Sequence, residues 1–533
     1  MNDNVVNELG LPHWIVRKRW VLFGLVGLMC LLAFNGQWRV GRDSAMYRQL
    51  GHNLVMGEGY VYHGEHHNHL YPGLPLMLGG LEYAFGPSPI PPLLVNLTLA
   101  VFTLVLVYRL VRLTYPPWVA VTVTVLTGLN VRFQQYTSDI LTDVPFLFAT
   151  CLTLYALERL RQSASLRQWV VPIALLLTGL FVAASMRPTM WALAAALVGA
   201  CVFGLIAGPR RFSLACLGVM LVAAIGWFAV DPRTSGFNPF AGQYETQVLS
   251  TVTNLSQLPK VIGLNIIHLF EEHMPDAFFG TEIGPGLNTL LTIIIIGGGI
   301  ALLRHNVLWG LMVLITLAMT LVLLTVPRYF LMILPLLVLG WVLCWWKLAL
   351  RLRQPYGDWV LTAALLLALL PNLGNCVKLV IEQRSVPFLE RYKHGDWIPV
   401  IQLSEAIRQQ VGADEKVSGP HTTVMTYLSG RPVSEAGDLV PRGHAGSWPG
   451  IVKAHGLDWA VFPSTSYHED SLTREFIERG VIVPTGNIVR EGDLWLARVE
   501  VRVTDEHWRD LPATPVIEPP TNLASQMVER PVQ

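Results

Sequence analysis

The chain has 533 residues, 52% of them hydrophobic and 14% charged, with a mean hydropathy of +0.45. A soluble domain carries roughly 25% charged residues, so an ordinary soluble enzyme is excluded. The net charge is only +1, and 36 of the 75 charged residues follow residue 379. That asymmetry predicts a sparsely charged membrane body ahead of a polar domain, and it lacks the basic soluble region of a nucleic-acid binder.

An apolar run of about 20 residues is needed to cross the hydrocarbon as an α-helix. In chain order the candidate spans are 20–36, 92–111, 118–134, 144–158, 169–185, 189–207, 213–230, 287–303, 306–326, 329–346 and 358–378. The first follows Arg17-Lys18-Arg19 and has no small-residue cleavage site behind it, so it reads as a signal anchor. Placing the N-terminus inside puts this cluster, Arg109/Arg112, Arg159/Arg161/Arg167, Arg210-Arg211, Arg304 and Lys347/Arg351/Arg353 on one side, as cytoplasmic loops require. With eleven spans the polar domain then faces outside, together with loops 37–91, 132–143 and 231–286. In a prokaryote this places the chain in the plasma membrane.

The fold class expected is an α-helical integral membrane protein of about eleven transmembrane helices, with interfacial helices in the outer loops and a small C-terminal α/β domain outside. The body occupies 1–379, the soluble domain 390–510 and a Pro-rich, disordered tail 511–533. Within the soluble domain, 398–411 and 472–479 read as helices, and 459–462 and 494–503 as strands. The six cysteines (Cys30, Cys151, Cys201, Cys216, Cys344, Cys376) fall in or at the end of apolar runs, which rules out a disulfide framework or a Cys-x-x-Cys metal site.

The residues able to do chemistry gather in the outer loops. Asp43 follows the first span, and the apolar positions Ala45, Met46, Leu50 and Leu54 predict an interfacial amphipathic helix over 43–55. An acid held there could meet a lipid head group and a water-side acceptor together. Asp43 would equally serve as the N-cap of that helix. Histidines cluster at His52, His63, His66, His67 and His69, with Glu65 among them, and again in His268-x-x-Glu271-Glu272-His273. Imidazole with carboxylate suits a divalent ion such as zinc, which makes Glu65, His66, His67, His268, Glu271 and His273 candidate ligands. A solvated polar loop explains the same composition.

Four pieces of the first loop carry a resemblance: Asp43 with Tyr47 four residues on, Gly57-Glu58-Gly59-Tyr60, Tyr71-Pro72-Gly73-Leu74-Pro75, and Phe85-Gly86. Thr137-Ser138-Asp139-Ile140-Leu141-Thr142-Asp143-Val144-Pro145 in the second loop and Val326-Pro327-Arg328-Tyr329 with Pro335 add two more. Over 20–380 the chain thus resembles the C-type glycosyltransferases, which include the protein O-mannosyltransferases and the aminoarabinose transferases that act on lipid A. The resemblance implies transfer of a sugar from a polyprenyl-phosphate carrier, undecaprenyl or dolichyl, to a lipid, glycan or protein acceptor, with inversion. It implies Asp43 as general base and Asp143 as the acid that orients the acceptor or a metal. Arg328, Arg42 and Arg187 are the cations it offers to the donor phosphate, although Arg42 and Arg187 would also suit head-group snorkelling. Protein O-mannosyltransferases carry an Asp-Glu pair where this chain has Asp43-Ser44, and a large insert where 231–286 is short. Both departures favour a lipid or glycan acceptor. The alternative class is a polytopic transporter or flippase, which should place ionisable residues at mid-span; here the acids sit at the outer edge.

Overall fold

A computed structural model describes residues 10–39, 41–62, 65–163, 165–207, 210–231, 233, 256, 258–322, 326–352, 355–385, 397–412, 414–419, 421–434, 457–463, 479–491 and 494–502. The chain divides into two compact units. One comprises Met1–Arg39 with Tyr47–Val386, the other Val40–Met46 with Pro387–Gln533.

Among the described residues, the regular structure of the larger unit is helical apart from the two-residue hairpin of β1 (Val61–Tyr62) and β2 (Glu65–His66). Among the described residues, six helices are long and apolar enough to cross a membrane: Ile90–Arg112, Arg167–Met186, Arg210–Val230, Pro285–Arg304, Pro327–Ala349 and Tyr356–Arg384. Shorter apolar helices run over Arg19–Ala33, Pro117–Gly128, Met190–Gly204 and Val307–Val322. The chain is a multi-span membrane protein. Large apolar side chains such as Phe102, Leu221, Ile293 and Trp359 stand exposed on these helices, where hydrocarbon rather than protein would cover them. Two expected spans take a different form. The run 118–134 breaks after Gly128, because Asn130 caps a new helix, Val131–Thr137, by accepting the Phe133 N–H at 3.1 Å. The run 144–158 belongs to the helix Asp143–Gln162, which is buried along most of its length inside the bundle.

Small residues and amides set the interhelical distances. Helices Pro285–Ala301 and Leu334–Ala349 cross at Gly298 and Gly340, where a Cβ on Gly298 would lie 2.8 Å from the Gly340 carbonyl. Asn130 Nδ2 donates to the Ala277 and Phe278 carbonyls at 2.9 and 3.1 Å, and Asn372 Nδ2 donates to Phe278 O at 2.8 Å while its Oδ1 accepts from Val131 N–H at 3.0 Å. These amides satisfy backbone groups that a buried loop would otherwise leave unpaired. Asn96, which sits in a glycosylation sequon, is likewise buried, and its Nδ2 donates to the carbonyls of Tyr136, Thr137 and Asp139.

In the smaller unit a five-stranded mixed sheet has the order β4 (Val433–Ser434), β3 (Lys416–Ser418), β5 (Leu457–Pro463), β7 (Leu494–Val501), β6 (Ile482–Glu491). The first three strands are parallel and the last two pairings antiparallel. The helix Trp397–Gln410 buries Val400, Leu403 and Ile407, and Thr422–Ser429 buries Val424 and Met425. The strands expected at 459–462 and 494–503 are β5 and β7. Strands β3, β4 and β6 and the helix Thr422–Ser429 were not anticipated, because the runs are short or Pro- and Gly-punctuated. The helix expected at 472–479 and the tail 511–533 lie outside the described residues.

Candidate active site

The first long loop, 37–91, is built on helix Arg42–Val55. Its N-terminus is closed by Ser44, whose Oγ accepts the Gly41 N–H at 3.0 Å and donates to Gly41 O at 2.9 Å. The serine three residues in thus does the reach-back that Glu or Gln performs in a capping box. Helix start and cap fall before Asp43, so capping is carried by Ser44 and not by Asp43, which stands in the first turn, half-buried, one turn before Tyr47. Arg42 beside it is exposed. The helix is pressed onto Gly73–Phe85, where a Cβ on Gly51 would lie 2.7 Å from Pro75 O and 2.9 Å from Gly79 N. His52 Nδ1 meets Glu82 Oε1 at 2.7 Å along the same seam.

Beyond that helix the loop folds on its aromatic residues. Tyr60 Oη donates to Leu70 O at 2.8 Å, and Leu70 N–H donates to His67 Nε2 at 2.9 Å. Burial, with the neighbouring His69, His66 and Arg233 charges in support, pushes His67 down to about 4, so it is a neutral acceptor at pH 7. Tyr71 stacks on Trp227 with centroids 6.4 Å apart, and the Arg233 guanidinium lies 3.6 Å from the centre of the Tyr71 ring. Asp231 holds Arg233 through Nε and Nη2, the latter at 2.8 Å. This Asp231–Arg233–Tyr71 cluster escaped the reading of the sequence; its only signal is an Asp-Pro-Arg triplet ending the apolar run that closes at Val230.

The second loop brings the acids and arginines together. Asp143 opens helix Asp143–Gln162, buried, and its Oδ1 accepts from Arg187, which follows helix Val170–Met186. The side chains are 2% and 10% exposed, so the pair is almost fully removed from solvent. Arg187 also lies over the Tyr329 ring, 5.2 Å from its centre, and Arg328 approaches the same ring at 5.5 Å. The charged and phenolic groups acting on Arg187 are Asp143, Arg328, Tyr329 and Tyr47. Burial, then the charge of Asp143, holds the Tyr136 phenol above its ordinary value. Asp139 pairs with Arg39 at 3.4 Å, and burial pushes its carboxyl up to about 6, Arg39 opposing and Asp143 adding to the rise. Arg132 and Asp276 form a further ion pair at the base of the loop.

The sequence-predicted residues therefore separate. Asp143, Arg187 and Arg328 converge with Tyr329, Tyr136 and Tyr47. The histidines of the first loop do not gather into a metal-binding group among the described residues: His66 Nε2 faces Arg233 O at 3.3 Å and His67 accepts from Leu70, while the Glu65 side chain lies outside the described residues. In the third loop His268, Glu272 and His273 do gather, each with one ligand atom within 4.8 Å of the others. Glu272 occupies the place expected for Glu271.

Residues 72–234 match the family model of the dolichyl-phosphate-mannose-protein mannosyltransferases. No curated protein matches the chain by sequence. Among solved structures, the chain is similar to ArnT from Cupriavidus metallidurans in the apo state, with a TM-score of 0.55 at 12% identity over 90% of this chain and 97% of that one. It is similar also to ArnT from that organism bound to undecaprenyl phosphate (TM-score 0.51, 14% identity, 90% and 98% covered). A third likeness is to the oligosaccharyltransferase AglB from Archaeoglobus fulgidus in complex with an inhibitory peptide and a dolichol-phosphate (TM-score 0.54, 12% identity, 84% and 69% covered). The chain has the fold of the C-type membrane glycosyltransferases.

Proposed function

We propose that the chain is a glycosyltransferase that moves a hexose or pentose from a polyprenyl-phosphate donor to an acceptor on the extracytoplasmic face of the membrane. The observation that carries this reading is the pair of guanidiniums, Arg187 and Arg328, that close on one tyrosine ring beside a buried carboxylate. Two like charges held together in a site of low dielectric repel each other, and the donor's phosphodiester anion, and still more the monoester dianion it leaves as, relieves that repulsion. The solved likenesses support the donor class, since one was captured with undecaprenyl phosphate and another with a dolichol-phosphate and a peptide.

In this reading Asp43 accepts the proton of the acceptor nucleophile as the nucleophile attacks the anomeric carbon. The bond from that carbon to the phosphate oxygen breaks on the opposite face, and the configuration inverts. Arg328, with Arg187, stabilises the phosphate as its charge grows in the transition state. Asp143 fixes Arg187 in one rotamer, so the cation is positioned before the donor arrives. The Ser44 cap stands where the protein O-mannosyltransferases have glutamate, which supports a lipid or glycan acceptor over a protein. The N-terminus is cytoplasmic and the mixed-sheet unit extracytoplasmic, in the plasma membrane of a prokaryote.

Binding of undecaprenyl phosphate to the protein in lipid nanodiscs tests the donor assignment. Arg328→Gln should weaken binding about 10- to 100-fold, the range for one charged hydrogen bond. Unchanged affinity would remove Arg328 from the donor site.

A further inference from the structure

At the end of the bundle away from Asp143, basic and aromatic side chains gather from several interhelical connections. Helix Asp143–Gln162 rises 1.5 Å per residue, so Glu158 lies about 22 Å along its axis from Asp143. Gln162 Nε2 donates to Leu113 O and Asn306 Nδ2 to Glu158 Oε2, both at 3.4 Å. These bonds join this end to the connection after helix Ile90–Arg112 and to the turn after Pro285–Ala301. Lys347, in the last turn of Leu334–Ala349, meets His305 of that turn, Nζ to Nε2, at 2.8 Å.

Two features of this patch suit an anion. The first is its cations. Lys347 and His305 are exposed and bonded to each other, and among the described residues no carboxylate pairs with Arg112, Arg304 or Lys347. Burial, then the Lys347 and Arg304 charges, lowers the His305 imidazole, so it serves the lysine as a neutral acceptor. Glu158 is already paired with Arg161 and accepts from Gln162 at 3.1 Å. The second feature is a pair of unanswered donors. The Tyr115 ring lies 6.4 Å from His305 and 6.2 Å from Trp309, and Arg112 Nη1 donates to Tyr115 O at 3.2 Å. The Tyr115 hydroxyl and the Trp309 indole N–H are both buried with no hydrogen-bond partner among the described residues. Burial and the Glu158 charge push the Tyr115 phenol up to about 12, so the hydroxyl keeps its proton and donates. Buried donors are almost always bonded, so two bare ones beside exposed cations suit an oxygen-rich ligand.

We propose that Lys347, His305, Arg112, Tyr115 and Trp309 form a site for the phosphate of an anionic phospholipid head group. A hydrogen bond between two basic groups neutralises no charge, so the Lys347–His305 contact is a weak latch. Phosphate oxygens take the ammonium from His305 as a charge-assisted bond, and the opened pair admits them to Tyr115 Oη and Trp309 Nε1. A lipid fits better than a soluble phosphate, because Leu348 and Leu352 stand 41% and 40% exposed just after Lys347 and offer acyl chains an apolar surface. Basic pockets between transmembrane helices on the cytoplasmic side bind such head groups, and in the proposed orientation this end is cytoplasmic. None of these residues belongs to the proposed donor or base positions, so the site stands apart from the transferase reading.

The test is retention of phosphatidylglycerol by the purified full chain in detergent, followed by native mass spectrometry, with zwitterionic phosphatidylcholine as the comparison. Wild type should hold one phosphatidylglycerol per chain, about 10-fold or more tighter than phosphatidylcholine. Lys347→Ala should weaken that binding at least about 10-fold, the range for a charged hydrogen bond. Tyr115→Phe removes one oxygen and keeps the ring packed, so it reports even if Lys347→Ala folds poorly; it should weaken binding about 2- to 10-fold. Arg210→Ala, at the start of another spanning helix, should change nothing. Equal losses in Arg210→Ala and Lys347→Ala would show diffuse attraction to a basic surface and overturn the site. Unchanged binding by Tyr115→Phe, or equal retention of the two lipids by wild type, would overturn it as well. Displacement of phosphatidylglycerol by an equal concentration of inorganic phosphate would overturn the lipid assignment in favour of a soluble phosphate.

Discussion

Asp143 and Arg187 lie 44 residues apart in sequence and bury their charges against each other. Removing one partner leaves the other as an uncompensated buried charge, which costs more than the pair contributes. Arg187→Met should lower stability by about 3–5 kcal/mol in a denaturant titration, whereas Arg187→Lys should recover part of that loss by keeping the charge. Asp139 gives a pH signature of opposite sign to an ordinary ion-paired acid. Its folded value of about 6 exceeds the ordinary aspartate value of 3.8, so the folded state holds the proton more tightly. Its contribution is therefore full below pH 3.8 and declines as pH rises through about 6. Asp139→Asn should gain stability relative to wild type across pH 4–6, by up to ~3 kcal/mol for a shift of this size; a difference independent of pH would contradict the assignment. Asp143 drew attention in the sequence only through the resemblance of its segment, Thr137 to Pro145, to a family motif. Its partner was not legible: an arginine at the end of an apolar run reads equally as a snorkelling residue until the fold brings Asp143 to it.

Helix seams carry the same lesson at larger spacing. Amphipathic periodicity over 43–55 announced the first helix of loop 37–91, which runs from Arg42 to Val55. The second helix of that loop, Gly73–Phe85, was hidden by its Pro- and Gly-rich start and by apolar residues on most faces. Its contact with the first helix depends on Gly51 and Gly79. Gly51→Ala should therefore force the helices apart despite alanine's better helix propensity, and cost about 1–3 kcal/mol in thermal or denaturant unfolding. A stabilising Gly51→Ala would show that the seam has room. The π-turn Leu269–His273 was beyond pattern reading altogether. It follows from Pro275 and from the Asn288 side chain that caps the Glu271 carbonyl, which this proline strands, and no single-sequence period encodes an amide 17 residues away. In the smaller unit, β5 and β7 announced themselves through apolar and aromatic runs, while the two- and three-residue strands β4 and β3 exist only through their pairing with neighbours.

For the whole molecule, the charge asymmetry between the body and the polar domain already separated the chain into two kinds of surface. From the positive-inside pattern we propose that the C-terminal unit is extracytoplasmic. Among the described residues, Cys344 is the one exposed cysteine, so a cysteine-free background needs few replacements at the surface. A single cysteine at the exposed position Arg408 should react with a membrane-impermeant maleimide in intact cells, and one at Arg17 only after permeabilisation; the reverse labelling would invert the topology. The central claim is that an outward-facing carboxylate, Asp43, deprotonates an acceptor that attacks a polyprenyl-phosphate sugar. Its most direct test compares wild type with Asp43→Asn in lipid nanodiscs, both shown to fold equally, for consumption of a panel of undecaprenyl- and dolichyl-phosphate sugars with lipid and glycan acceptors. The account predicts consumption of one donor by wild type and a rate about 10²- to 10⁴-fold lower for the variant, with donor binding retained. Equal turnover by Asp43→Asn would contradict it.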